Sequence, residues 1–204
     1  IGIETAREQI AAGADLLACG DMGIGNTTPS SAITSVVTGT ATDITTGRGT
    51  GLDDAGLAHK ATVVKKAIDV NKPDPKDGLD VLMKVGGFEI GLLAGVYLGA
   101  AAGNRPVVVD GFISGAAALI AHAIAPDAAH SFVASHQSVE PGHRISLSHM
   151  GLEPLLDLGM RLGEGSGAAL AMHIVEASAK CLSDMTTFAE AGVSEKIEDD
   201  EAAS

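Results

Sequence analysis

The chain of 204 residues is 46% hydrophobic and 2% aromatic, and its formal net charge is −13. These values predict one sizeable domain whose core is filled by Ala, Leu, Ile and Val. They argue against nucleic acid and anionic membranes as partners, because both bind basic surfaces. We expect an α/β domain over residues 1–194, followed over residues 195–204 by an acidic tail with the composition of a disordered segment.

The two cysteines bear on the compartment in which the protein works, and the first residue bears on the extent of the sequence. Cys19 and Cys181 stand in apolar surroundings without CxxC or metal-type spacing, which predicts reduced core thiols and a cytoplasmic location. The chain starts with Ile1 inside a helical pattern and not with Met. We therefore expect this sequence to be part of a longer protein.

In chain order, apolar residues at helical spacing predict a helix over residues 1–14, and the apolar run 16–19 predicts a buried strand. A glycine-rich loop, 20–26, leads into a second helix over 27–38, which Gly39 ends. A strand, a glycine loop and a helix N-terminus in this order favour anion binding, although an ordinary tight turn has the same glycine spacing. The loop matches neither the dinucleotide fingerprint nor the P-loop.

Residues 38–50, which are rich in Thr and Gly, predict a long loop of a kind that is often functional. Thr50 and Asp53 then stand in capping-box spacing before a helix over 52–70. The apolar residues that we expect on its inner face are Leu57, Val63, Val64 and Ala67. Lys60, near the start of this helix, is either a counter-charge for a phosphate held by the glycine loops or an exposed helix lysine.

Glycines repeat every four residues at positions 87, 91, 95, 99 and 103, and they predict a helix with one bare face. Such faces are common in membrane helices. We reject a membrane span because Glu89 and Asp110 lie within the apolar runs and basic flanking residues are scarce. Two interpretations remain for the glycine face: close helix packing in the core, or the seam of a dimer.

Two further strands are predicted over 106–110 and 131–134, with a glycine turn and an Ala-rich helix between them. Strands that alternate with helices favour a parallel sheet with helices on both faces, a Rossmann-like three-layer α/β fold. Ligands of such sheets bind beyond the carboxyl ends of the strands. We therefore expect the loops 20–26, 110–115 and 135–142 to meet at one site.

Glu164 is the acidic residue best placed for chemistry, because glycines flank it on both sides in the run Gly-Glu-Gly-Ser-Gly. A ligand can approach its oxygens and the adjacent backbone N–H groups without meeting other side chains. His136, His143 and His149 lack the spacing of a metal site, so we predict structural or surface roles for them and no bound metal. The sequence has no nucleophile elbow, which argues against a serine hydrolase.

Six segments together resemble the nicotinate-nucleotide:dimethylbenzimidazole phosphoribosyltransferases, the family that builds the lower ligand of cobamides. The matching segments are residues 20–28, 47–51 with His59 and Lys60, 85–90, 109–115, 135–143 and 162–167. The resemblance implies transfer of the phosphoribosyl group of nicotinate mononucleotide to dimethylbenzimidazole, which gives α-ribazole 5′-phosphate and nicotinate. It also implies that the protein needs no cofactor and forms a homodimer.

The same resemblance implies a role for each matched residue. Glu164 corresponds to the general base, and Asp21 to a second catalytic carboxylate at a position where we expect the family to carry Glu. The residues implied in substrate binding are Gly23, Asn26, Gly49, Lys60, Gly111, Phe112 and Ser138. Two other functions stay open, a nucleotide-binding module without turnover and an N-ribosyl hydrolase that uses water in place of the base.

Overall fold

Three short strands form a parallel sheet in the computed structural model, which describes residues 1–193. They are β1 (Leu17–Cys19), β2 (Val107–Val109) and β3 (Phe132–Ala134), in the spatial order β1-β2-β3. The first residues of the three strands pair with one another, as do the last. The predicted parallel sheet is therefore confirmed.

Helices surround this sheet. In chain order they are α1 (Gly2–Ala11), α2 (Thr27–Thr38), α3 (Thr42–Thr45), α4 (Asp54–Asn71), α5 (Gly78–Val85), α6 (Phe88–Ala102), α7 (Phe112–Ile124), a 3-10 helix (Pro126–Ser131), α8 (Pro141–His149) and α9 (Ser166–Asp184). Each strand is followed by a loop and then by the N-terminus of a helix, namely α2, α7 and α8. This repeated order brings three loops to the carboxyl edge of the sheet.

The chain divides into two units, Ile1–Met172 and His173–Ser204. The sheet, its core and the residues of the candidate site belong to the first unit. In the second unit Cys181 is exposed, so the prediction that both cysteines are core thiols is wrong for this one. The helical residues 176–184 of this unit, Cys181 included, are all exposed. The predicted acidic tail, 195–204, lies outside the described residues.

Small and branched apolar side chains fill the core, as the composition predicts. Residues 116–121 of α7 are fully buried, and this helix packs against α2, α6 and α8. Short alanine side chains let four helices approach one another closely at this point. Tyr97 of α6 adds one large ring, whose centroid lies 5.0 Å from that of Phe132. Within residues 1–193, no helix has both the length and the apolar character that crossing a membrane requires.

The glycine face of α6 packs against α1 of the same chain. A Cβ atom at Gly95 would lie 3.0 Å from the Cα atom of Gly2, and one at Gly99 would lie 2.8 Å from the Cβ atom of Ala6. The period of four glycines therefore serves close helix packing in the core. From Gly95 to Gly103 the structure supports the first of the two interpretations, since α1 covers this stretch, whereas Gly87 and Gly91 line a cavity.

Two local predictions in the first half of the chain are wrong. The segment predicted as one long loop contains the short helix α3, whose Thr45 is buried and hydrogen-bonded to Ser31 and Ser35 of α2. The second wrong prediction is the capping box of Thr50 and Asp53. The next helix begins at Asp54 and its N-cap is Asp53, whose side chain accepts a hydrogen bond from the Gly56 N–H at 2.8 Å. On its predicted inner face Val64 is buried, whereas Val63 is 42% exposed.

Candidate active site

The loops that follow the three strands meet at one cavity of about 690 Å³, as predicted from the strand order. Most residues that the resemblance implies in the site line it: Asp21, Gly23, Gly49, Gly111, Phe112, Ser138 and Glu164. Lys60 lines an adjoining cavity, which shares Gly23 and Gly49 with the first. Asn26 is 7% exposed and is hydrogen-bonded to Asp21. The structure thus brings all nine residues to one region of the first unit.

Ser114 of α7 ties together the ends of β1 and β2. Its hydroxyl donates a hydrogen bond to the Cys19 carbonyl oxygen at 2.7 Å and accepts one from the Asp110 N–H at 3.2 Å. The Tyr97 hydroxyl completes this buried group. Burial also raises the pKa of the Cys19 thiol to about 12, so the thiol stays protonated. These contacts fix the end of β1 and the first residue of the loop that follows β2.

Asp110 anchors the loop that carries Glu164, and sequence reasoning did not select it. Its side chain is 1% exposed, and its two oxygens accept hydrogen bonds from the N–H groups of Gly165 and Ala168, each at 3.0 Å. A carboxylate is favoured there because helix N-termini carry partial positive charge. Two signals were available: an acidic residue directly after a run of three valines, Val107–Val109, and its place in the segment 109–115 that matches the family.

Glu164 sits in a run of left-handed backbone. The φ angles of Gly163, Glu164 and Gly165 are 75°, 57° and 77°, and this region is uncommon for glutamate. The Glu164 N–H donates a hydrogen bond to the Asp21 carbonyl oxygen at 3.0 Å. Gly20 permits this contact, because a Cβ atom there would overlap the Gly165 nitrogen. The two loops that carry the predicted catalytic carboxylates are therefore in direct backbone contact, with the Glu164 side chain exposed.

Asp21 is held by Asn26, the residue that precedes α2. The Asn26 amide nitrogen donates hydrogen bonds to Asp21 Oδ1 at 2.7 Å and to the Met22 carbonyl oxygen at 3.2 Å. Partial burial raises the pKa of Asp21 above its ordinary value; the bond from Asn26 lowers the pKa, and the nearby charge of Glu89 raises it. Asp21 therefore takes up a proton more readily than an exposed aspartate does.

Two helix N-termini and an ammonium group make the other end of the site suitable for an anion. The helices α2 and α7 begin at Thr27 and Phe112, and both residues line the cavity. Backbone N–H groups at such positions lack helical partners, so they favour negative charge. Gly111 leads into α7, and a Cβ atom there would contact only His136, at 3.9 Å. A ligand can therefore approach the backbone closely at this helix start.

Lys60 reaches the same end of the site from α4. Its Nζ atom donates hydrogen bonds to Thr27 Oγ1 at 2.8 Å and to the Gly47 carbonyl oxygen at 3.0 Å. An ammonium group has three N–H donors. Among the described residues it has these two acceptors, so one donor is left for a ligand. Burial lowers the pKa of Lys60, while the Glu140 carboxylate acts in the opposite direction. Lys60 is half-buried, and the interpretation as an exposed helix lysine is wrong.

Glu140 and Arg161 also line the cavity, and sequence reasoning did not single them out. Glu140 Oε1 accepts a hydrogen bond from the Gly49 N–H at 3.0 Å. Arg161 Nη2 donates one to the Gly49 carbonyl oxygen at 3.3 Å. Both residues lie in or beside segments that match the family, which is the signal that could have found them. Gly49 is thus held at both ends of its backbone.

The central histidines belong to the core, in agreement with the predicted structural roles. His136 and His143 are buried, with His136 Nδ1 at 2.9 Å from Ser135 Oγ and His143 Nδ1 accepting from the Ser138 N–H at 3.1 Å. Burial lowers the pKa of both rings, that of His143 to about 3, so His143 is neutral near pH 7. In residues 1–193, no group of three or more His, Cys, Asp or Glu side chains is arranged to hold a metal ion.

The chain is similar in sequence to proteins of known family. The family model described as "Phosphoribosyltransferase" matches residues 1–193. Two relatives named nicotinate-nucleotide–dimethylbenzimidazole phosphoribosyltransferase, from Desulforudis audaxviator and Roseiflexus castenholzii, are each 60% identical over 198 residues, which cover 97% of this chain and 56% of theirs. The chain thus spans about half the length of the curated relatives that it matches.

A solved structure shows the same fold. The crystal structure of CobT from Thermus thermophilus superposes with a TM-score of 0.89 at 46% sequence identity, and the match covers 96% of this chain and 58% of that one. The matched region includes the sheet, the helices and the loops around the cavity. From the family model, the relatives and the shared fold, we conclude that this chain belongs to the phosphoribosyltransferase family that includes the nicotinate-nucleotide–dimethylbenzimidazole phosphoribosyltransferases.

Proposed function

We propose that the protein transfers the phosphoribosyl group of nicotinate mononucleotide to 5,6-dimethylbenzimidazole in cobalamin biosynthesis. The products are α-ribazole 5′-phosphate and nicotinate. The observation that carries the proposal is that Asp21 and Glu164 line the same cavity as the N-terminus of α7, with Lys60 in the adjoining cavity. Two carboxylates suit a proton transfer beside a sugar cation, and the helix N-terminus and ammonium group suit a phosphate.

Glu164 is the general base of the proposed reaction. One nitrogen of the benzimidazole attacks C1′ of the ribose, and the N–H on its other nitrogen becomes more acidic as the new bond forms. The Glu164 carboxylate removes that proton. Nicotinate leaves C1′ with the bonding electrons and needs no proton, since its ring nitrogen carried the positive charge. The configuration at C1′ inverts, and one base suffices.

Asp21 lies beside this base through the backbone contact of the two loops. In the proposed mechanism its carboxylate steadies the positive charge that develops on the ribose as nicotinate departs. The hydrogen bond from Asn26 holds the carboxylate in place and favours its charged form. Asn26 therefore contributes to the ribose end of the site through Asp21, while Gly49 contacts the ribose itself.

The phosphate binds at the N-terminus of α7 in this proposal. The backbone at Gly111 and Phe112 offers N–H donors there, and Ser138 lines the same cavity. Gly23 leaves room for a ligand beside this helix start, because a Cβ atom there would contact only the Ile113 side chain, at 3.6 Å. Lys60 supplies the counter-charge. This arrangement orients C1′ toward the two carboxylates.

The test uses the protein in its full natural length, mixed with nicotinate mononucleotide and dimethylbenzimidazole, with nicotinate release as the signal. We expect Glu164→Ala to lower the rate by about a hundredfold or more, the scale of general-base catalysis. Glu153→Ala is the matched control, because Glu153 is exposed and does not line the cavity. Equal rates for wild type and Glu164→Ala would show that Glu164 is not the base.

Product identity separates the other two functions. Ribose 5-phosphate in place of α-ribazole 5′-phosphate would indicate a hydrolase. Binding of nicotinate mononucleotide without any product would indicate a nucleotide-binding module.

We also propose that the protein acts as a homodimer in the cytoplasm. The two free cysteines, Cys19 and Cys181, suit a reducing compartment. Light scattering on the protein in its full natural length tests the dimer, and a monomer mass at micromolar concentration would contradict it.

A further inference from the structure

Glu140 precedes α8 at the N-cap position but does not cap that helix. Short side chains such as those of Ser, Asp or Asn are preferred there, because they reach back to the first N–H groups of the helix. The Glu140 carboxylate extends instead to the loop formed by residues 47–51, about ninety positions earlier in the chain. The orientation of the Glu140 side chain is therefore explained by its contact with that loop and not by capping of α8.

The carboxylate and the 47–51 loop fit together closely. Oε1 accepts a hydrogen bond from the Gly49 N–H at 3.0 Å. Oε2 is buried and has no hydrogen-bond partner among the described residues. A Cβ atom at Gly47 would overlap Oε2, so any side chain at that position would displace the carboxylate. The glycine at position 47 thus makes room for Glu140.

The same loop is also held by Lys60 and Arg161. Lys60 donates to the Gly47 carbonyl oxygen at 3.0 Å, and Arg161 to the Gly49 carbonyl oxygen at 3.3 Å. Gly49 has a φ angle of 54°, and a Cβ atom there would lie 3.4 Å from Lys60 Nζ. Glu140 and Lys60 therefore both hold the same loop, through the Gly49 N–H and the Gly47 carbonyl oxygen. A movement of the loop would move the Lys60 ammonium group with it.

We propose that Glu140 is a positioning residue that fixes the 47–51 loop, and through it Lys60, for the phosphate end of the nucleotide. This inference rests on the proposed function. A buried carboxylate oxygen without a partner costs free energy, so a loop that only needed an acceptor would be served better by a neutral group. The charge is useful here because it lies beside a half-buried ammonium group that must itself stay charged to bind phosphate.

The test compares Glu140→Ala, which removes the acceptor, with Glu140→Gln, which keeps an acceptor for the Gly49 N–H. Glu153→Ala is again the control for loss of an exposed carboxylate. We expect Glu140→Ala to raise KM for nicotinate mononucleotide by about tenfold or more, the effect of losing a hydrogen bond to a charged group. The KM for dimethylbenzimidazole should stay near the wild-type value. Glu140→Gln should recover part of the nucleotide affinity and leave a higher KM than wild type, because it restores the acceptor for the Gly49 N–H but not the negative charge beside Lys60.

Two results would overturn the proposal. One is a KM for nicotinate mononucleotide in Glu140→Ala within about twofold of wild type. The other is a rise of both KM values together with a lower melting temperature and no recovery in Glu140→Gln, which is what a merely structural role predicts.

If the wild-type protein releases no nicotinate, the proposed function fails, and calorimetry with nicotinate mononucleotide then decides the role of Glu140 separately. Binding weaker by about tenfold in Glu140→Ala would support the role. Unchanged binding, or no binding by the wild type, would overturn it.

Discussion

Replacing Asp110 with Asn tests whether the Glu164 loop is held by a buried carboxylate. The Asp110 side chain accepts hydrogen bonds from the N–H groups of Gly165 and Ala168, each at 3.0 Å, and is 1% exposed. Asparagine has nearly the same shape but only one acceptor oxygen. Its amide group would therefore face one of the two N–H donors with a donor of its own.

The size of the effect follows from these two bonds. A hydrogen bond to a charged group contributes ~1.5–3 kcal/mol, and leaving a buried donor unpaired adds to that loss. The negative charge also favours the helix N-terminus by ~0.3–1 kcal/mol, and by up to ~2 kcal/mol where it is buried, a contribution that overlaps with the hydrogen bonds. We expect Asp110→Asn to lower the free energy of unfolding by ~2–4 kcal/mol. At ~2–4 °C per kcal/mol for a chain of this length, the melting temperature should fall by about 4–16 °C.

Thermal unfolding and amide hydrogen exchange together check this reasoning. The amide protons of Gly165 and Ala168 should exchange faster in Asp110→Asn, and nicotinate release should slow because Glu164 is held less firmly. Asp127→Asn serves as the matched control, since Asp127 is exposed and its side chain makes no hydrogen bond in the described part of the chain. A melting temperature within about 1 °C of wild type, with unchanged exchange at both amides, would refute the proposed anchor.

Three further predictions follow from other parts of the molecule. Gly99→Leu should lower the urea midpoint, because its Cβ atom would lie 2.8 Å from the Cβ atom of Ala6 and overpacking costs ~1–3 kcal/mol; an unchanged midpoint would contradict the packing of α1 on α6. Burial lowers the pKa of His143 from 6.5 to about 3, so between these values only the unfolded chain takes up the proton. This residue should therefore reduce the free energy of unfolding by about 1 kcal/mol per pH unit as the pH falls below 6.5, and His143→Gln should remove that part of the slope. Iodoacetamide should label Cys181, which is exposed, and spare the buried Cys19; two labels per native chain in the intact mass would show that Cys19 is accessible.

Sequence patterns predicted the elements whose signals are local. The helix over 27–38 and its end at Gly39 agree with the structure, and the three strands lie within the predicted apolar runs. Such patterns succeed because the spacing of apolar residues and the φ preference of glycine act over a few neighbours. They failed for α3, a single buried turn that depends on contacts with α2, and for the exposed Val63 on α4.

The candidate site likewise has residues that local motifs predicted and contacts that they did not. Sequence by itself determined the family resemblance, the three loops at the sheet edge and the carboxylates Asp21 and Glu164, because each belongs to a contiguous motif. Only the tertiary structure decided that Asp110 anchors the Glu164 loop and that Glu140 holds the loop at Gly49. These contacts join residues far apart in the chain, and a hydrogen bond between distant residues leaves no periodic trace in the sequence around either partner. Their presence depends on how the helices and strands pack, which is a property of the folded molecule.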